Sequence, residues 1–228
     1  MSDGADGDLI GSGRACDVYA AGPGRVLRRH RAGESTEGEA KLMRHLAQFG
    51  YPVPTVYEAG GPDIVMERLD GPTMLSELSS RPWSLQTHAD VLAGPIRRLR
   101  DVPLPDDDLR VVGSSGEVIV HLDLHPDNVV LSDRGAVVID WTNAASGPNG
   151  LDAANTWLTL AAGSPPGSLA TRVVASVGRR LFVNRFVRAI DRPAARSQLE
   201  VALALRELDP NLSDTEVTTM RRLVADET

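Results

Sequence analysis

The segment His121-Leu-Asp-Leu-His-Pro-Asp-Asn128 sets an aspartate and an asparagine five residues apart, and Val137-Val-Ile-Asp140 adds a second aspartate after an apolar run. Oxygen-bearing side chains in this pattern suit phosphoryl transfer. That reaction needs a carboxylate at the attacking hydroxyl and hard oxygen ligands for a Mg2+ ion bridging the phosphates of ATP. Asp123 is the candidate for orienting or deprotonating the hydroxyl. Asn128 and Asp140 are the candidates for holding the metal, a neutral amide beside an anionic carboxylate keeping the negative charge modest. The plainer alternative is that Asp123 and Asn128 cap turns and Asp140 ends a strand.

Such a constellation needs rigid elements around it, and strand ends are where a scaffold can aim several polar side chains together. Short β-rich runs are expected at Val118–His121, Asn128–Leu131 and Ala136–Trp141, the last two joined by the turn Asp133-Arg-Gly135. Upstream, Asp8–Ser12, Cys16–Ala20 and Arg25–His30 read as strands joined by Gly-containing turns. Ser35 to Gln48 carries Leu42, Met43, His45 and Leu46 at helical spacing, and Thr55–Glu58 and Asp63–Leu69 read as two more strands. From Gly71 the pattern turns helical. Met74–Leu78 and Thr87–Leu99 are helix candidates, with Gly94-Pro95 expected to kink or break the second. Pro103–Asp108 reads as an acidic loop. The chain from Leu151 onward reads as helices broken near Gly163–Gly167, Pro193 and Asp209-Pro210. The expectation is an α+β, two-lobed fold: a β-rich N-lobe over residues 1–69 that binds nucleotide, and a mainly helical C-lobe over 70–228 that carries the catalytic loop and the metal and substrate sites.

The run His121-Leu-Asp-Leu-His-Pro-Asp-Asn128 followed by Val-Ile-Asp140-Trp resembles the aminoglycoside phosphotransferase and choline kinase group of kinase-like enzymes. Their signature has the form H-x-D-x-x-x-x-N followed by I-D-W or I-D-F. The resemblance spans about residues 9 to 160, and more loosely the rest. It implies a protein-kinase-like bilobed fold, ATP and Mg2+, and transfer of the γ-phosphate to a small-molecule hydroxyl, an aminoglycoside or other amino-sugar being one such acceptor. Asp152, in Gly150-Leu-Asp-Ala-Ala, matches a family aspartate that braces the catalytic loop.

Within that resemblance, Gly11-Ser12-Gly13 lies between two expected strands, where backbone N–H groups could approach phosphates and Val18 could cover the adenine. Kinases place a lysine on the third strand, but Lys41 is the only lysine of this chain and follows Glu39 on the expected helix. Arg28 stands in its place. Strand alternation puts Val26 and Arg28 on one face, so Val26 would line the adenine site while Arg28 reaches the phosphates. Glu39 matches the helix glutamate that pairs with this cation. The hinge would be the carbonyl of Glu67 and the N–H of Leu69, with Met66 behind the adenine.

Bulk properties narrow the rest. The 228 residues are 42% hydrophobic and 24% charged with a net charge of −7, which argues against nucleic acid or an anionic membrane as partner. An acidic surface would suit a cationic small molecule, and solubility alone also accounts for it. A single cysteine, Cys16, excludes an internal disulfide framework and fits a reducing cytoplasm. Glu200, Glu207, Asp209, Asp214 and Glu216 lie where relatives meet acceptor ammonium groups, although mixed charges of this kind are commonly a solvated helix face. Two other readings stay open. A protein kinase is disfavoured because Trp141-Thr142 replaces Phe-Gly and no Ala-Pro-Glu segment follows. A pseudokinase, binding nucleotide as a regulatory module, is motivated by the missing strand lysine.

Overall fold

Three short runs joined by tight turns form β1 (Leu9–Ser12), β2 (Cys16–Ala20) and β3 (Arg25–His30) in the computed structural model, which describes residues 7–13, 15–106, 109–163 and 169–227. With β4 (Val56–Gly60) and β5 (Asp63–Glu67) they make an antiparallel sheet in the order β1-β2-β3-β5-β4. Register pairs Val18 with Arg28, Ala20 with Val26, and Val26 with Met66. Because side chains alternate along a strand, Val18, Val26, Arg28 and Met66 therefore share one face. Between β3 and β4 runs α1 (Glu37–Gln48), which buries Ala40, Leu42, Met43 and Leu46. Thr36, buried just before it, donates its hydroxyl to the Asp63 carbonyl at 2.7 Å and ties the helix start to β5.

The chain divides into two compact units. The first holds the described residues to Gly71 together with Val130–Thr142; the second holds Pro72–Val129 and the described residues from Asn143. The contiguous lobes expected from the sequence, 1–69 and 70–228, do not include this return. It brings Asp140 into the first unit with Arg28 and Glu39. The returning segment is the ladder of β7 (Val129–Ser132) and β8 (Gly135–Val138), sealed by fully buried Trp141. The Trp141 indole donates to the Val138 carbonyl at 3.2 Å and meets Tyr51 edge-on at 5.5 Å.

The second unit is built on α4 (Leu151–Ala162), buried at every position from Leu151 to Leu158. Around it pack α3 (Leu85–Leu99), α5 (Leu169–Ala189), α6 (Arg192–Arg196), α7 (Leu199–Arg206) and α8 (Asp214–Glu227), while α2 (Met74–Ser80) precedes α3. A short ladder joins β6 (Val118–Val120) to β9 (Ala145–Gly147), a strand whose small residues carry no β signal. No helix among the described residues is long and apolar enough to cross a membrane.

Three expectations need correction. Gly94-Pro95 does not break α3, which runs unbroken from Leu85 to Leu99. The burial of Ala89, Leu92, Pro95, Ile96 and Leu99 on its packed side offsets the hydrogen bond that proline removes. Asn128 does not begin a strand but closes a 3-10 turn, Pro126–Asn128. Nor does β8 reach Trp141: it stops at Val138, and Asp140 has a φ of 63°, which no strand accommodates. The breaks expected near Gly163–Gly167, and Asp107 and Asp108 of the acidic loop, lie wholly or partly outside the described residues.

Two glycines give opposite outcomes. Gly94 lies inside α3 with open space where a Cβ would go, so Gly94→Ala should stabilise by about 0.5–1 kcal/mol. Gly150 has φ +94°, and its Cβ would lie 2.3 Å from the Ala194 carbonyl oxygen. Gly150→Ala should therefore cost more than Gly94→Ala gains, by about 2 kcal/mol or more. Denaturant midpoints of both variants check this, and equal shifts would refute it.

Candidate active site

Where the chain leaves β6 it must turn sharply, and Leu122 takes a φ of 63°, a conformation costing a non-glycine residue about 1–2 kcal/mol. The turn is held from α4. The buried Asp152 carboxylate accepts the His121 N–H at 3.0 Å and the Leu122 N–H at 2.8 Å. Asn155 donates to the Leu122 carbonyl, and the Thr156 hydroxyl donates to the Leu124 carbonyl at 2.9 Å. Burial pushes the Asp152 carboxyl above its ordinary value, while His121 and the two backbone N–H groups pull against it. One face of α4 thus grips three successive stretches of the loop.

Asp123 has both of its backbone polar groups engaged inside the loop. Its N–H donates to His121 Nδ1 at 3.2 Å and its carbonyl accepts from Asn128 Nδ2 at 2.9 Å. The carboxylate is 27% exposed, with His125 Nε2 3.7 Å from Oδ2 and Arg206 Nη1 3.4 Å from Oδ1. Burial alone would raise its pKa, but His125, Arg206 and His121 outweigh burial, and the carboxyl sits below its ordinary value. Asp123 is therefore an ionised acceptor near neutral pH. Buried Asn128 spends its amide nitrogen on the loop, and its Oδ1 has no hydrogen-bond partner among the described residues. Asp127 next door is taken by the Thr73 hydroxyl at 2.9 Å.

The first unit holds the other candidates. On β3 the Arg28 side chain is buried and pairs with Glu39 of α1, while its Nη1 lies 3.4 Å from Asp140 Oδ1. Burial works against the guanidinium charge, but Glu39 and Asp140 more than restore it, and its pKa rises. Glu39 also accepts the Trp141 N–H at 3.1 Å and the Thr142 hydroxyl at 3.3 Å, and Thr142 donates to Asp140 Oδ1 at 3.0 Å. Asp140 remains 48% exposed, with Oδ2 unpartnered among the described residues. Arg29, on the opposite face of β3, forms a two-point pair with Asp63 at 2.7 Å.

The glycine turn is less open than its sequence suggests. The Gly13 N–H closes the hairpin onto the Cys16 carbonyl at 2.8 Å, and the Ser12 hydroxyl donates to Asp17 at 2.7 Å. A Cβ at Gly11 or Gly13 would meet only ordinary van der Waals neighbours, so the fold itself requires neither glycine. At the end of β5 the Glu67 carboxylate is held by Arg134 at 2.7 Å, while the Leu69 N–H beyond it has no partner among the described residues. The structure thus gathers Val18, Val26, Arg28, Glu39, Met66 and Asp140 within the first unit, and Asp123 and Asn128 within the second.

Sequence reasoning missed Arg206, Thr142, Asn155 and Thr156. The last two sit three and four residues after Asp152 on one helix, a spacing that could have flagged them. Arg206 carried no local signal. Three of the five acidic residues flagged near the C-terminus have structural tasks: Glu216 forms a capping box with Ser213, Glu207 pairs with Arg221 at 2.7 Å, and Asp209 binds the Asn211 turn. The charged residue of this region that reaches Asp123 is a cation.

Residues 81–189 match the model of the phosphotransferase enzyme family. Among solved structures, a choline/ethanolamine kinase family protein from Mesorhizobium loti matches with a TM-score of 0.59 at 15% identity, covering 99% of this chain and 89% of its own. A thermostable mutant of an aminoglycoside phosphotransferase, in ternary complex with AMP-PNP and hygromycin B, matches with 0.63 at 15% identity, covering 98% and 93%. An amicoumacin kinase, in complex with AMP-PNP, Ca2+ and its ligand, matches with 0.60 at 14% identity, covering 99% and 90%. At such identities the likeness shows the fold. No match was found among curated protein sequences. The resemblance to the aminoglycoside phosphotransferase and choline kinase group stands, as does the kinase-like α+β fold.

Asp152→Ala would leave the buried His121 N–H and the part-buried Leu122 N–H without an acceptor, at about 1–3 kcal/mol for the first and less for the second. Urea unfolding should show a loss of about 2–5 kcal/mol, with Asp152→Asn, which keeps one acceptor oxygen, losing less. Equal loss for the two variants would contradict the two-bond picture.

Proposed function

We propose that this chain, whose residues 81–189 match the phosphotransferase enzyme family model, is an ATP-dependent kinase of a small hydroxyl-bearing molecule. The observation that carries the reading is Asp123: its backbone N–H and carbonyl are both engaged inside the loop, and a partly exposed, ionised carboxylate is what remains. Asp123 accepts the hydrogen bond of the acceptor hydroxyl and aims its oxygen at the γ-phosphorus. The new O–P bond would form as the bond to the departing diphosphate breaks, and the hydroxyl proton would pass to the Asp123 carboxylate as the phosphoester forms.

In the first unit, Val18, Val26 and Met66 offer an apolar surface suited to adenine, with the Leu69 N–H and the Glu67 carbonyl as hinge groups. Arg28, fixed by Glu39, supplies the cation for the phosphates. Asp140 of the first unit and Asn128 of the second are each the kind of hard oxygen donor that magnesium takes. Magnesium, when bound, neutralises charge developing on the transferred group. The acceptor is a small alcohol or an amino-sugar, a class drawn from the matched structures; the site's own charges give no preference for a cation. A cytoplasmic setting agrees with the lone, half-buried Cys16.

A second reading, a nucleotide-binding module without turnover, draws on Arg28. Its contact with Asp140 Oδ1 occupies an oxygen that a catalytic metal would use, and a guanidinium is not a neutral replacement for lysine.

The test is Mg-ATP binding and turnover with ethanolamine, choline, hygromycin B and neutral amino-sugars as acceptors. Wild type should phosphorylate at least one of them. Asp123→Ala should lose transfer by about 10²-fold or more while still binding nucleotide, and Asp140→Ala should lose transfer and weaken metal-dependent binding. Binding without turnover across the panel would favour the module, and no nucleotide binding would refute both readings.

A further inference from the structure

We propose that Arg206 is a positioning residue that aims the Asp123 carboxylate, so that α7 completes a reactive group the loop cannot complete by itself. The inference rests on the kinase reading of Asp123 given above. Arg206 is the last residue of α7, its side chain only 14% exposed, and its contact with Asp123 spans 83 positions of sequence. Nη1 lies 3.4 Å from Asp123 Oδ1 and Nη2 lies 3.7 Å from Asp209 Oδ2. Nε is buried with no hydrogen-bond partner among the described residues. A guanidinium so desolvated persists only where carboxylates answer its charge. Asp209, three residues on, answers one arm locally; Asp123 answers the other.

The loop fixes the Asp123 backbone but not its side-chain torsion. That freedom is removed from two sides, by Arg206 at Oδ1 and by His125 at 3.7 Å from Oδ2. Turning the carboxylate away forfeits one or both. The restraint is stiff because α7 is anchored on α4 through buried Leu199 and Ala202, and α4 is the helix whose Asp152, Asn155 and Thr156 hold residues 121–124. One helix therefore fixes both the loop and the support of its carboxylate. A planar, always charged fork suits this bridging of two carboxylates better than an ammonium does.

A group that aims the reacting carboxylate affects the rate and leaves acceptor and nucleotide affinity alone. With an acceptor from the panel above, Arg206→Gln should lower kcat by on the order of 10²-fold, the effect of a small misalignment. The acceptor KM and the AMP-PNP Kd should stay unchanged, and Arg206→Lys should recover part of the loss. Asp209→Asn, which leaves the Asp123 arm in place, should keep most of kcat and covers the case in which Arg206→Gln fails to fold. Independently of turnover, 15N spectra of the full-length chain should show slow Nη rotation of Arg206 in wild type and faster rotation in Asp123→Asn. An unchanged kcat in Arg206→Gln, a rise in acceptor KM with kcat retained, a kcat loss in Asp209→Asn as large as in Arg206→Gln, or Nη rotation indifferent to Asp123→Asn would each overturn the proposal. Absence of transfer by wild type would overturn it together with the kinase reading. The 15N spectra would then show whether the Arg206 contact had formed.

Discussion

A buried carboxylate that accepts two backbone N–H groups is the constraint on which the second unit's chemistry depends. Asp152 sits on the first turn of α4, inside the core, and its oxygens close on His121 and Leu122 just where β6 ends. Together with the Asn155 bond to the Leu122 carbonyl, that pair of bonds balances the left-handed conformation of Leu122. With them, Asp123 emerges from the turn in one orientation. The loop then completes itself: Asn128 reaches back to the Asp123 carbonyl, and His121 receives the Asp123 N–H. The side chains left over are the ones that phosphoryl transfer can use.

The first unit solves a similar problem with Glu39. Its carboxylate gathers the Arg28 guanidinium, the Trp141 N–H and the Thr142 hydroxyl, so a strand, a helix and the returning segment are joined at one residue. Asp140, also in the left-handed region, is presented by this arrangement with one oxygen engaged and the other without a partner among the described residues. Arginine in place of lysine is consistent with that geometry. A guanidinium can face Glu39 and Asp140 with separate nitrogens, whereas an ammonium is a single point of charge. Arginine therefore keeps the cation while adding a contact to Asp140.

Charge near the C-terminus illustrates how a list of residue types misleads about recognition. Five acidic residues lie there, where relatives meet acceptor ammonium groups, although mixed charges of this kind are commonly a solvated helix face. In three dimensions, Glu216 caps a helix, Glu207 meets Arg221 and Asp209 holds a turn and Arg206. What reaches Asp123 from this region is positive. Acceptor preference consequently cannot be read from the net charge of −7 or from the local excess of carboxylates.

The strands of the first sheet, the helix bearing Glu39 and the loop from His121 to Asn128 were legible because each rests on local patterning: alternation, helical spacing, and a motif whose residues act within eight positions. Alternation alone put Val26 and Arg28 on one side of β3, and register then added Val18 and Met66. Local rules failed where packing overruled them. Pro95 remains inside α3 because its neighbours are buried, β9 forms from small residues because β6 pairs with it, and Asp140 leaves the strand because Glu39, Trp141 and Thr142 organise the backbone around it. The sequence by itself determined the chemical types of the candidate site groups, Asp123, Asn128 and Asp140, since these are properties of side chains and spacing. Only the tertiary structure decided which of their atoms stay free and which cations flank them. Arg28 with Glu39 and Asp140, and Arg206 with Asp123, are contacts between residues far apart in the chain, and they form only once the helices and strands pack.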